Sequence, residues 1–168
     1  MKLKILFLFL MITLIGRSVH AQEFRFASDD VTYSSSEDYR TYNQDILQYI
    51  EWLKTHGPAE EENWGKYAGY FIKWLEGTPD VDVIIPSQLS PYLKDSPVML
   101  IYYMAGYTEA VLKNPSLKND KVAGTLAGIR MMLHAYKKNW GGNGKLKKLL
   151  KAEEKGKLEK MVRKWYGA

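Results

Sequence analysis

Apolar side chains in this chain recur at three- and four-residue steps, and glycine or proline cuts each such run short. That spacing puts them on one face of an α-helix, whereas a half-buried strand would need strict alternation. The runs predict helices and little else. The first is expected over residues 37–55, where Tyr39, Tyr42, Ile46, Tyr49, Ile50 and Leu53 share a face. Ser36 stands at its N-cap position, and Gly57-Pro58 stops it. A second is expected to begin at Pro58, with Glu60, Glu61 and Glu62 in a first turn that suits negative charge. Its stripe is Trp64, Tyr67, Ala68, Phe71, Trp74 and Leu75. The short turn between the two implies an antiparallel hairpin.

Residues 78–95 contain Pro79, Pro86 and Pro91 and read as a buried connector, with one helical turn around Ser87 to Leu93. Ser96-Pro97 opens a third helix that runs to Lys113 and ends at Asn114-Pro115. The fourth, residues 120–139, has two stripes: Val122, Leu126, Ile129, Leu133 and Tyr136, and Ala123, Ala127, Met131 and Ala135. Small or apolar residues on several sides mark it as central, and Gly124 and Gly128 allow a neighbour to come close. After Gly141-Gly142-Asn143-Gly144 a fifth helix is expected over residues 145–166, kinked or divided at Glu153 to Lys157. The fold class is therefore all-α: about five helices as antiparallel hairpins packed around a central one, with an irregular proline-containing connector. No 34-residue repeat of the tetratricopeptide kind is present.

The first residues carry a different message. Lys2 and Lys4 precede a run from Ile5 to Ile15 broken only by Thr13, and Val19-His20-Ala21 follows. A basic start, a short apolar stretch and a small-x-small end are the parts of a secretory leader, cleaved after Ala21. The run falls short of the roughly 20 apolar residues that span a membrane. The expected organisation is a signal peptide over 1–21, a flexible arm over 22–36 and a single helical domain over 37–168. The expected destination is the periplasm or the extracellular space. The chain has no cysteine. An exported domain of this kind must rest on apolar packing rather than disulfides. A thiolate nucleophile and any cysteine-ligated metal are excluded.

Charge is unevenly distributed. Residues 22–136 carry 10 basic and 16 acidic side chains, a net of −6, whereas residues 137–168 carry 11 basic and 3 acidic, a net of +8. An acidic body with a strongly basic C-terminal helix points to an anionic partner. The candidate surface is the glycine turn and the lysines behind it: Trp140, Gly142, Gly144, Lys145, Lys147, Lys148 and Lys151. Amides of a glycine turn at a helix start can hold an anion. The Walker pattern is not met, since Asn139 stands where its first glycine is required and Leu146 follows Lys145. Trp52, Tyr70, Tyr103 and Tyr107 fall off the main stripes and are further candidates for a ligand surface.

Catalytic signals are thin. His56 ends the first predicted helix, His134 has no carboxylate three or four residues away, and no His-Glu-x-x-His pair exists. No serine occupies a Gly-x-Ser-x-Gly elbow. Glu60, Glu61, Glu62, Asp80 and Asp82 are the only carboxylates grouped well enough to suggest a glycan hydrolase, which needs two facing ones. The expectation is an exported, non-catalytic helical domain that binds a protein or an anionic surface, with no cofactor, no metal, no nucleic acid and no transmembrane segment. The carboxylate-dependent glycan hydrolase is the alternative.

Overall fold

The computed structural model describes residues 24–94 and 96–167, so the expected leader lies outside the described residues. Within them, all regular structure is helical. The α-helices are α1 (Ser36–Thr41), α2 (Asn43–Leu53), α3 (Trp64–Leu75), α4 (Ser90–Leu93), α5 (Pro97–Lys113), α6 (Lys121–Lys137), α7 (Leu146–Glu154) and α8 (Leu158–Trp165), with 3-10 turns at Ser87–Leu89 and Pro115–Leu117. The all-α class read from the apolar spacing is the class observed.

The most extensive helix contact joins α5 and α6. A Cβ at Gly128 would lie 2.7 Å from the ring of Tyr103, and one at Gly106 would lie 2.5 Å from the carbonyl oxygen of Ala127. Tyr107 lies over Gly124 in the same way. Numbers fall along α5 as they rise along α6, so the two helices run in opposite directions. Tyr103 and Tyr107 are fully buried here and Trp52 nearly so. These three, read from their off-stripe positions as surface candidates, are core residues. The reason is that α5 buries more than one side, so a single stripe does not describe it. Tyr103 also satisfies its hydroxyl, which donates to Ile84 O at 2.6 Å and thereby ties down the connector.

Two boundaries differ from expectation, and the division expected between Glu153 and Lys157 is found. The first predicted helix is two, α1 and α2, joined at Tyr42 (φ −99°, ψ 0°). Its cap is Ser35 rather than Ser36: Ser35 accepts from the Asp38 amide, while the Asp38 carboxylate accepts from the amides of Ser34 and Ser35 at 2.7 Å. This reciprocal box satisfies free amides at the helix start. The second predicted helix starts at Trp64, not Pro58. Residues 58–63 form isolated turns instead, with Glu60 N donating to Gly57 O and Trp64 N to Glu61 O at 3.1 Å, and the Glu60 carboxylate accepting from Gly57 N at 3.0 Å. The fifth divides into α7 and α8 at Gly156 (φ +62°). There Lys157 N donates to Ala152 O and Gly156 N to Glu153 O, which closes α7 with a left-handed cap.

The segment expected as a loose arm is packed from Phe24 onward. Phe24 and Phe26 are buried, and Phe24 meets the edges or faces of Tyr49, Trp52 and Tyr67 at centroid distances of 5.6, 5.9 and 5.1 Å. Arg25, between them, makes a two-pronged ion pair with Asp45 at 2.9 and 2.6 Å. Alternation delivers both rings inward through turns rather than through a strand, since no strand exists among the described residues.

Candidate functional site

The glycine turn begins where α6 ends. Asn139 adopts a left-handed conformation (φ +60°), Trp140 N donates to Ala135 O at 3.1 Å and Asn139 N to Tyr136 O at 3.1 Å. This satisfies the last carbonyls of α6, with asparagine in the position glycine usually takes. Gly141 and Gly142 follow at φ +144° and +95°. Gly142 N donates to Ser96 Oγ at 3.1 Å, and the Asn143 side-chain amide donates to Lys94 O at 3.2 Å. The turn is therefore fastened to the start of α5.

That fastening uses the amides that an anion would need. Besides Gly142 N, Lys145 N donates to Asn143 Oδ1, Leu146 N to Asn143 O, Lys147 N to Gly144 O and Lys148 N to Lys145 O. Trp140 is half-buried, with its ring stacked on Tyr102 (5.9 Å, 19°) and its indole N–H donating to Glu60 at 3.2 Å. Of the residues expected to form a surface, Trp140 and Gly142 thus hold the turn to the body, while Gly144 is open, with space for a side chain.

The lysines behave differently. Lys145, Lys147, Lys148 and Lys151 are exposed, and so are Lys155, Lys157, Lys160 and Lys164. None of the eight has a carboxylate at ion-pair distance among the described residues. Two of the three acids on these helices are already engaged, and the third, Glu154, is exposed. Glu153 accepts from Arg130 on α6 at 2.8 Å, and Glu159 accepts from Arg163 at 2.7 Å. Their apolar neighbours Leu146, Leu149, Leu158 and Val162 are fully buried, so α7 and α8 each present a lysine face outward. Lys155, Lys157, Lys160 and Lys164 were not singled out from the sequence. The +8 balance includes them, but the Glu153–Lys157 interruption hid the continuity of the face.

His56 and His134 converge on the end of α2. His56 Nδ1 donates to Trp52 O at 3.0 Å and His134 Nε2 to Lys54 O at 2.8 Å. Carbonyls only accept, so these bonds fix which ring nitrogen carries the proton. Both rings lie against tryptophan, His56 on Trp52 and His134 on Trp140.

The candidate carboxylates are held by different partners. Glu60 is kept below the usual carboxylate range by the Gly57 amide and then by the Trp140 indole. Asp80 is also lowered: burial opposes ionisation, but Asn43 at 2.9 Å and Arg40 at 3.1 Å outweigh it. A general acid needs its carboxyl raised, and both shifts run the other way. No group of three or more potential metal ligands occurs among the described residues. Nor is any described helix long and apolar enough to cross a membrane. No family model, no curated protein and no solved structure matches this chain.

Proposed function

We propose that this chain is an exported helical domain that binds an anionic partner through the lysine faces of α7 and α8. The observation that carries the reading is the set of exposed lysines without carboxylate partners, next to acids already bound to Arg130 and Arg163. Unpaired surface charge of one sign attracts an opposite surface over about a Debye length, roughly 8 Å at physiological salt. The fold behind the site is read as antiparallel hairpins around α6. What supports this is that α6 contacts α5, α7 and α8, and that α5 runs against it. Export rests on the leader pattern of residues 1–21.

Two measurements test this. The intact mass of protein recovered outside the cytoplasm should lack Met1 to Ala21; full-length chain in the membrane fraction would contradict export. Retention on anionic vesicles or an acidic polysaccharide at low salt should fall steeply as salt rises, and charge reversal at Lys145, Lys147, Lys148 and Lys151 should remove it with the fold intact. Failure to bind any anionic material at low salt would leave α7 and α8 as an ordinary solvated surface.

A further inference from the structure

From the spacing of the free lysines we infer the class of anion: a linear, carboxylate-bearing polysaccharide. This rests on the anionic-partner reading above and narrows it. On α7 the exposed lysines Lys148, Lys151 and Lys155 follow at three- and four-residue steps, so they form a row along one helix face. On α8 and the residue before it, Lys157, Lys160 and Lys164 repeat the same steps. Neighbours in each row are about one helical turn apart, on the order of 5 Å. The left-handed cap at Gly156 separates the rows, so each is a short straight ladder of positive charge.

A ladder does not suit a compact anion. A phosphate or a single headgroup calls for donors that converge on it, whereas three lysines in a row span about two helical turns, on the order of 10 Å. The free cations are also all lysines, whereas Arg130 and Arg163 are each held by a glutamate. Lysine acts as a point charge and arginine as a fork matched to phosphate and carboxylate geometry. A lysine ladder therefore reads spacing rather than the shape of one group. Nor is an apolar side left for insertion into lipid, because Leu146, Leu149, Leu158 and Val162 are buried in the core. A polyuronate carries one carboxylate on each sugar ring, so along an extended chain its anionic groups form a row, as the lysines do.

The test uses the exported chain and alginate, with neutral dextran, single-stranded DNA and anionic phospholipid vesicles as comparison arms, each titrated at low and physiological salt. Alginate should bind, dextran should not, and the affinity should fall with salt. Lys148, Lys151 and Lys155 changed together to Gln should weaken binding by on the order of tenfold or more, and so should Lys157, Lys160 and Lys164. The same positions changed to Arg should keep it, and Lys66→Gln on α3 should have no effect. Unchanged thermal melts identify the loss as electrostatic. Binding to vesicles without alginate, or tighter binding to DNA than to alginate at equal charge, overturns this inference and leaves the anionic-partner reading standing. Alginate binding that ignores both lysine rows overturns it as well. Binding to none of the anionic arms overturns both.

Discussion

Gly128 and Gly106 are the positions where one atom decides the packing. Each faces the partner helix at a distance no real side chain tolerates, and Gly106 meets backbone, which cannot swing away. Gly106→Ala should therefore destabilise more than its helix propensity, which favours alanine by about 1 kcal/mol, would suggest. Gly128→Leu should be more severe, because the ring of Tyr103 has no vacant space to move into. Denaturant melts of the two variants check both. At the other polarity, Glu51 belongs to a four-membered network joining α2 to α5: Lys54 reaches Glu51 at 2.9 Å and Glu109 at 2.7 Å, and Lys113 reaches them at 3.0 and 2.5 Å. The bond from Lys54, then that from Lys113, pulls Glu51 down to about 2 from its ordinary 4.5. A lowered folded value contributes stability above the ordinary one, and that contribution is lost as pH falls through the folded value. The Glu51 carboxylate is 55 % exposed, so solvent screening limits its share to under about 1 kcal/mol. The loss of Tm between pH 4.5 and 2 should be smaller in Glu51→Gln than in the parent, and the difference should shrink in high salt.

At the scale of elements, the segment before α1 gives the sharpest test. Phe26 is fully buried, so Phe26→Ala should cost about 3–5 kcal/mol, as for other buried aromatics. A loosely attached segment would give almost nothing in the same urea melt. Trp140→Phe should keep the stack on Tyr102 but lose the bond to Glu60, and is expected to destabilise less than Trp140→Ala. These elements also mark how far the sequence could be read. The helices Pro97–Lys113 and Lys121–Lys137 were legible because caps, prolines and apolar steps agree there. The start of α3 was not, because the chain after Gly57 closes isolated turns, Glu60 N to Gly57 O and Trp64 N to Glu61 O, and a proline followed by acidic residues fits such turns as well as a helix start. Phe24 and Phe26 alternate with polar residues, but two alternating positions are too few to separate a packed segment from a loose one. The basic region was visible as a charge total, but the engagement of the turn amides was not. For Gly142 N it depends on Ser96, and for Lys145 N on an Asn143 side chain held in turn by Lys94 O, and both Ser96 and Lys94 are distant in sequence from the turn.

For the whole molecule, the outward lysines of α7 and α8 stand against a preceding chain whose residues 22–136 sum to −6. Such a molecule is an electric dipole. In dilute salt the first anionic surface a basic face meets need not belong to another species, because the body of a second copy carries the opposite sign. The contact would be head to tail, and head-to-tail contacts do not close on themselves. At low ionic strength the protein should therefore scatter light increasingly as its concentration rises, with the effect reversed by salt and abolished by the same lysine substitutions that remove polyanion binding. A soluble polyanion in excess should disperse the chains by occupying the end through which they grow.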